Sequence, residues 1–311
     1  MNRTKEVMEK LAARPYLTDG GLETELIFLQ GMELPHFASF PLLETESGRA
    51  VLEKYFMGFA DIAGQAGYGF VFESPTWRAH PAWGEIMGYD AKALDRLNQQ
   101  AIHFLACLRG NCGGTAAGHL VSGCIGPRGD GYVADHLMTA QQSKDYHRAQ
   151  IISFAQAGAD MTSAMTLNYP DEAIGIVSAC QEVDLPVVIS FTVETDGCLP
   201  NGTLLRDAIE TVDLATGSSP AYYMINCAHP DHFNDALTTE QPWLERIGGL
   251  RANASRMSHA QLDNAEALDD GDPAELGAQL LALQRRMPHI RVLGGCCGTD
   301  HRHVSHMCEV H

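Results

Sequence analysis

Short apolar runs alternate with longer amphipathic stretches along the whole sequence, and this pattern constrains the fold more than any other feature. The apolar runs are partly β-branched and bounded by Gly, Pro or Asn, which is typical of buried parallel strands. The predicted strands are Tyr16–Gly21, Tyr68–Ser74, Ala116–Ile125, Asp160–Leu167, Val187–Val193, Tyr222–Cys227, Gly248–Ala252 and Ile290–Gly294. We therefore expect eight strands, each followed by a helical stretch.

The stretches between the strands have apolar residues three and four positions apart, the spacing of one face of an α-helix. Two clear stripes are Leu52, Tyr55, Phe56 and Phe59, and then Leu94, Leu97, Ala101 and Leu105. We interpret these stripes as core packing. Strand and helix in eightfold alternation predict an α/β fold, a single (β/α)8 TIM barrel over residues 1–311. An open doubly wound sheet is the alternative, because alternation alone does not show closure.

The composition narrows the classes of partner. Lys and Arg number 21 against 39 Asp and Glu, a formal net charge of −18, which disfavours nucleic acid and anionic membrane surfaces. No apolar run approaches the ~20 residues that span a bilayer, and the first residues lack the apolar stretch of a signal peptide. We expect a cytoplasmic protein with small-molecule partners; whether it forms a homo-oligomer is left open.

Polar residues concentrate where the predicted strands end, which is the end of a (β/α)8 barrel that carries active sites. Asp19-Gly20-Gly21 ends the first strand, and Glu73-Ser74-Pro75-Thr76-Trp77 ends the second. Asn226-Cys227 ends the sixth strand, and Cys296-Cys297 follows the eighth. No Gly-x-Gly-x-x-Gly fingerprint follows the first strand, which argues against a dinucleotide site. The sequence predicts a site at this rim.

The cysteines give this site its chemistry. Adjacent cysteines on a regular strand point to opposite faces, so Cys296 and Cys297 can bind one ion only where the backbone turns. We expect Gly294, Gly295 and Gly298 to provide that freedom. With Cys227 they would form three thiolates and one open position, a catalytic kind of zinc site. Two alternatives are buried cysteines acting as small hydrophobic residues and a redox pair.

Three segments carry a family resemblance: Asp19-Gly20-Gly21-Leu22, Ile225-Asn226-Cys227-Ala228-His229-Pro230 and Gly294-Gly295-Cys296-Cys297-Gly298-Thr299. They resemble the signature segments of the homocysteine S-methyltransferase family. The resemblance implies a zinc-dependent enzyme on a (β/α)8 barrel, with Zn²⁺ bound by Cys227, Cys296 and Cys297. It also implies methyl transfer from a sulfonium or betaine-type donor to homocysteine, forming methionine, and thus a role in methionine biosynthesis. A zinc hydrolase is disfavoured, because such enzymes favour His and carboxylate ligands.

The resemblance further implies residues that bind the substrate. Backbone amides at Gly20 and Gly21 would hold the amino-acid end of homocysteine, and Asp19 and Glu73 would face its ammonium group. The segment from Glu73 to Trp77 resembles one found in part of the family. The predicted substrate-binding set is Asp19, Gly20, Gly21, Glu73, Thr76, Trp77 and Asn226.

The chain departs from the family pattern at two strand ends. Met165 stands where many members have a glutamate that contacts the substrate ammonium, and a thioether cannot make that ion pair. Either Glu73 or Glu194 takes this role, or the acceptor binds differently. Residues 251–255 read Arg-Ala-Asn-Ala-Ser where many relatives have Pro-Asn-Ser-Gly. The alternative function is therefore a zinc- and thiol-binding family member with an altered acceptor or lost catalysis.

Three further segments are interpreted as lacking a chemical role. We expect the glycine-rich loop 128–132 to be a passive surface loop, with a mobile lid as the alternative. The acidic run 266–270 is interpreted as a solvated connection. The histidines at 301, 303, 306 and 311 are expected at solvated positions on the last helix, with a second metal site as the alternative.

Overall fold

The computed structural model describes residues 3–113, 118–135, 137–238, 241–265 and 267–308. Eight parallel strands pair in sequence order and close into a barrel. They are β1 (Tyr16–Leu17), β2 (Gly69–Glu73), β3 (Leu120–Ile125), β4 (Met161–Leu167), β5 (Val187–Phe191), β6 (Tyr222–Asn226), β7 (Ile247–Ala252) and β8 (Val292–Gly295). Closure is made by β1 against β8, where Tyr16 pairs with Val292 and Leu17 with Leu293. The predicted closed barrel is confirmed, and the open sheet is wrong.

Each predicted strand contains or overlaps an observed one. The largest difference among the described residues is at β1, which is only two residues long, although the Thr18 amide and the Asp19 carbonyl still hydrogen-bond to Leu293 and Gly295 of the eighth strand. Residues 116 and 117, which we assigned to the third strand, lie outside the described residues.

Helices precede and follow the strands, and most of them lie on the outside of the barrel. They are α1 (Arg3–Ala13), α2 (Leu22–Thr24), α3 (Glu46–Gln65), α4 (Pro81–Met87), α5 (Ala91–Asn111), α6 (Ala140–Gln156), α7 (Pro170–Glu182), α8 (Leu205–Thr216), α9 (Pro230–Phe233), α10 (His259–Asp263), α11 (Pro273–Arg286) and α12 (His301–Ser305). The apolar stripes of α3 and α5 are buried against the strands, as predicted. The Asp272 side chain caps α11 by accepting from the amides of Ala274 and Glu275.

The amino end of the barrel is closed by α1. Its Val7 and Leu11 are buried in one cluster with the inward-facing residues Tyr16, Val71 and Leu120. Burial of these side chains stabilises the barrel and leaves its carboxyl end free to carry the polar residues. In the described ranges, no helix combines the length and the hydrophobicity needed to cross a membrane. The compartment stays a prediction.

Candidate metal centre

Three cysteine sulfurs lie together at the carboxyl end of the barrel. Cys227 follows β6, and Cys296 and Cys297 follow β8. The Cys227 Sγ lies 3.3 Å from the Cys296 Sγ and 3.5 Å from the Cys297 Sγ, and all three atoms lie within 4.8 Å of one another. They border a cavity of about 420 Å³ that opens at this end of the barrel. The strand ends thus bring together residues about 70 positions apart in the chain.

The backbone reaches this arrangement by two different means. Cys227 has a φ of +58°, a left-handed conformation that is rare for a residue with a side chain and often marks a functional site. Gly298 has a φ of +80°, so its conformational freedom is needed as expected. At Gly294 and Gly295 the expectation was wrong, because their φ is not positive. A Cβ there would overlap the hydroxyls of Thr18 and Thr299, so these glycines permit close packing.

The donor set fits zinc. Sulfurs at ~2.3 Å from a tetrahedral zinc would lie about 3.8 Å apart, close to the distances between Cys227 and the other two sulfurs. Hydrogen-bond contacts with Cys227 and Cys297 lower the pKa of Cys296 well below its usual value, against the effect of burial. The nearby guanidinium of Arg251 lowers the pKa further. One side of the cluster faces the cavity, which leaves room for a fourth ligand.

Asn226 holds one of the sulfurs in place. Its Nδ2 lies 3.8 Å from the Cys296 Sγ and donates to the Thr166 hydroxyl at 2.8 Å. Its Oδ1 accepts from the Thr166 amide at 2.9 Å and from the Ser190 hydroxyl at 2.6 Å. Both ends of the amide are therefore fixed by neighbouring strands, and the contact with sulfur is pre-organised. Asn226 borders the cavity, as expected for a substrate-binding residue, but its observed contacts position the Cys296 side chain.

Tyr132 covers the cluster from the loop after β3. Its hydroxyl lies 3.0 Å from the Cys227 Sγ and 3.6 Å from the Cys297 Sγ. Its ring stacks on His259, with centroids 4.0 Å apart. His259 in turn donates from Nε2 to the Cys227 carbonyl at 2.8 Å. The interpretation of loop 128–132 as a passive surface loop is therefore wrong at Tyr132, which contacts two of the three sulfurs.

A profile of the homocysteine S-methyltransferase family matches residues 16–311. The chain belongs to this family. Among solved structures, it is similar to the homocysteine methyltransferase MmuM from Escherichia coli. The metallated form is 19% identical with a TM-score of 0.76, over 98% of this chain and 99% of that one. The oxidized form is 20% identical with a TM-score of 0.76, over 99% of each chain. At these identities the likeness supports the fold. No curated protein sequence gave a significant match.

Membership of the family confirms the prediction of an S-methyltransferase, so the acidic residues expected near the acceptor can be compared with their observed contacts. Both carboxylate oxygens of Asp19 are already paired: Oδ1 with the Arg251 guanidinium at 2.8 Å, and Oδ2 with the Tyr55 hydroxyl at 3.2 Å. Glu73 differs. Its Oε1 accepts from the Ser163 hydroxyl at 2.9 Å, whereas its Oε2 is buried without a partner in the described part of the chain. Burial raises the pKa of Glu73 to about 7.

The two other side chains considered for the ammonium contact do not provide it. Met165 borders the cavity from within β4, near the carboxyl end of the strand. Glu194 does not border the cavity, and its carboxylate accepts from Nδ1 of His259 at 2.9 Å. Of the two glutamates named from the sequence, Glu73 is the one that borders the cavity, and its Oε2 has no partner among the described residues.

Of the other residues predicted to bind the substrate, some border the cavity and one does not. Gly20 and Gly21 border it, but the Gly21 amide donates to the Thr299 carbonyl at 3.0 Å. The Gly20 amide has no hydrogen-bond partner among the residues that the structure describes. Thr76 needs a correction: it is fully buried away from the cavity, and its hydroxyl donates to the Cys124 carbonyl at 2.8 Å. Trp77 borders the cavity and donates to the Met165 carbonyl at 3.4 Å.

Two further interpretations from the sequence were wrong at single residues, although Ala267 and His306 are exposed as expected. Within the run 266–270, Asp269 borders the cavity and accepts from the Ser255 hydroxyl; residue 266 lies outside the described residues. His303 is fully buried: its Nδ1 lies 3.0 Å from Asp300, and its Nε2 donates to the Asp270 carbonyl at 2.8 Å. Residue 311 also lies outside the described residues. The polar composition of these segments predicted that Asp269 and His303 would be exposed. Hydrogen bonds to other parts of the chain hold them in less exposed positions.

Proposed function

We propose that this protein transfers a methyl group from a sulfonium or betaine-type donor to the thiol of homocysteine, forming methionine. Cys227, Cys296 and Cys297 would bind the Zn²⁺ that this reaction uses. The observation that carries the proposal is the grouping of three sulfurs at the wall of a cavity large enough for small substrates. The family supports homocysteine as acceptor; the zinc and the donor class are inferred from the donor set and the cavity.

The chemistry needs a nucleophilic sulfur. A free thiol with a pKa of ~8.5 is only a few per cent thiolate at neutral pH. Zinc held by three thiolates would bind the acceptor sulfur as thiolate and, being electron-rich, leave it nucleophilic. The methyl group would pass to that sulfur while its bonding electron pair stays on the donor, and the thiol proton is released to solvent.

The chain's own residues would orient the two reactants. Asn226 and Tyr132 hold the sulfurs of Cys296 and Cys227 in position. The unpaired oxygen of Glu73 would accept from the ammonium group of homocysteine, in the role for which Met165 is unsuited. In-line positioning of methyl group and sulfur would lower the remaining barrier.

The cavity wall suits a cationic donor. Glu23, Asp130, Asp263 and Asp269 border it, which makes the wall predominantly acidic. The rings of Trp77 and Tyr132 border it as well and offer faces that attract an onium cation. Sulfonium and quaternary ammonium groups both carry the required positive charge.

A second function is favoured by two observations at the same site. Met165 borders the cavity, and the Asp19 carboxylate is already paired with Arg251. Of the positions considered for the ammonium contact, Met165 cannot form the ion pair and Asp19 is already paired, which leaves Glu73. The alternative is a zinc- and thiol-binding protein with a changed acceptor or without catalysis.

Turnover separates the two functions. The zinc-loaded protein is incubated with L-homocysteine and, separately, S-methylmethionine, S-adenosylmethionine or betaine, and methionine is measured by mass spectrometry. We expect methionine with at least one donor and none after the metal is removed by chelation. One zinc per chain with no methionine from any donor would favour the second function.

A further inference from the structure

Arg78 borders the cavity from the segment that follows β2. Its guanidinium carbon lies 3.8 Å from the centre of the Trp83 ring and 5.0 Å from the centre of the Trp77 ring. Contacts with two indoles restrict the orientation of the guanidinium and shield it from water. The side chain is thus held in place beside the substrate space.

This guanidinium has no anionic partner within the described ranges of the chain. Its Nε is buried without a hydrogen bond, and no carboxylate of a described residue forms an ion pair with it. Glu23 and Asp130 act on it only at longer range. The hydroxyl of Ser39 donates to Glu23 at 2.6 Å, and the amide of Tyr132 donates to Asp130 at 2.7 Å.

Three other partly or fully buried arginines that the structure describes are each paired with a carboxylate. Arg251 forms an ion pair with Asp19 at 2.8 Å, Arg246 with Asp213 at 2.7 Å, and Arg109 with Asp160 at 2.6 Å. A desolvated cation without a counter-ion is unfavourable, and burial lowers the pKa of Arg78 accordingly. An unpaired cation at the wall of a substrate cavity indicates that the partner is a ligand.

We propose that Arg78 binds the carboxylate of the methyl donor, so that the donor class is an onium cation that also carries a carboxylate. This rests on the proposed function. A guanidinium presents two parallel N–H donors that match the two oxygens of a carboxylate. Among the residues described as bordering the cavity, the arginines are Arg78 and Arg251, and Arg251 is already paired with Asp19.

The order of residues along the wall assigns the carboxylate to the donor. Trp77 lies between Arg78 and the loop that carries Tyr132, because a Cβ on Gly131 would lie 3.5 Å from the Trp77 ring. Tyr132 in turn contacts Cys227. A row of contacts therefore runs from Arg78 through Trp77 and the Tyr132 loop to the cysteine sulfurs. A donor anchored at Arg78 would direct its onium group past these rings toward the sulfurs.

The test compares Arg78→Met with Arg96→Met, which removes an exposed arginine from α5, outside the cavity. Steady-state kinetics are measured for donor and acceptor separately, with the donor from the turnover screen and with its carboxamide. We expect Arg78→Met to raise the donor KM about ten- to hundred-fold, the effect of losing a charge-assisted hydrogen bond. The homocysteine KM and the zinc content should not change. Wild type should bind the carboxamide more weakly than the carboxylate. Arg78→Met should bind the two compounds equally well.

Arg78→Lys is the control for a folding defect, because lysine keeps the positive charge but lacks the planar pair of N–H donors. We expect this variant to have a donor KM between those of wild type and Arg78→Met, and an unchanged melting temperature. An unchanged donor KM in Arg78→Met overturns the proposal, and so does a rise confined to the homocysteine KM.

A screen without methionine would contradict the proposed function, but Arg78 is still tested by the fluorescence of Trp77 and Trp83. A saturable change with S-methylmethionine or betaine that is absent in Arg78→Met would support the carboxylate site. No saturable change in wild type with either compound would overturn it.

Discussion

The two ends of the barrel interior are built from the same eight strands but differ in their side chains. At the amino end, Val71, Leu120 and Val292 pack with α1 in an apolar cluster. At the carboxyl end, the cysteine cluster, the unpaired Glu73 oxygen and the unpaired Arg78 nitrogen all lie at one cavity.

This difference separates stability from chemistry. Apolar side chains at the amino end lower the free energy of the folded state. Unpaired polar groups and the left-handed backbone of Cys227 raise it and are characteristic of functional sites. Mutations at the two ends should accordingly have different consequences.

The largest effect is expected from Cys297→Ala at the carboxyl end. Removing one of three thiolates should abolish nearly all zinc binding, and methyl transfer with it, because two protein ligands do not make a stable site. Metal analysis of the purified variant measures this. Cys180→Ala, which alters a buried cysteine of α7 away from the cluster, is the control and should keep its zinc. Full zinc content in Cys297→Ala would contradict the assignment.

At the amino end, Leu120→Ala should lower the free energy of unfolding by about 2–5 kcal/mol, because it leaves a cavity in a fully buried cluster. Chemical denaturation measures the change. Zinc stoichiometry in the folded variant should equal that of wild type. Loss of zinc from the folded Leu120→Ala protein would show that the two ends are not independent.

Glu73→Gln tests the unpaired carboxyl through the pH dependence of stability. The pKa of Glu73 is raised from 4.5 to about 7, so the folded state holds this proton more tightly than the unfolded state. Wild-type stability should therefore fall as pH rises between these values, by at most about 3 kcal/mol from this group. Glutamine does not titrate, so the stability of the variant relative to wild type should increase from pH 5 to pH 8.

Denaturation of both proteins at the two pH values gives this difference directly, and Glu53→Gln on the exposed face of α3 is the control. A difference between Glu73→Gln and wild type that does not vary with pH would contradict the buried, protonated state of Glu73.

The smallest effect is expected from Tyr132→Phe. It removes the hydroxyl 3.0 Å from the Cys227 Sγ but keeps the ring that stacks on His259. Loss of one hydrogen bond to a thiolate should weaken zinc affinity by about tenfold or less. Competition with a chelating dye measures the affinity. An unchanged affinity would show that the tyrosine hydroxyl does not stabilise the thiolates.

The barrel could be predicted from the sequence because each strand and helix is indicated by residues within its own segment. Strand runs and helical stripes are set by the period of apolar residues, and the cysteine positions follow from strand ends meeting at one rim. The closure of β1 on β8 could only be inferred from the count of strands.

The site's pairings could not be predicted in the same way, because they join distant parts of the chain. Tyr132 lies 95 positions from Cys227, and Arg251 lies 232 positions from Asp19. The spacing of apolar residues along the sequence does not indicate contacts between such distant positions. The sequence did mark both regions, as a glycine-rich loop after the third strand and as a departure from the family pattern at the seventh. It could not indicate that these residues would contact a sulfur and a carboxylate.

Zinc K-edge X-ray absorption on the zinc-loaded protein tests the central claim most directly. We predict three sulfur ligands at about 2.3 Å in the protein alone and four after L-homocysteine is added. A first shell of nitrogen and oxygen, or a sulfur count that homocysteine leaves unchanged, would contradict the account.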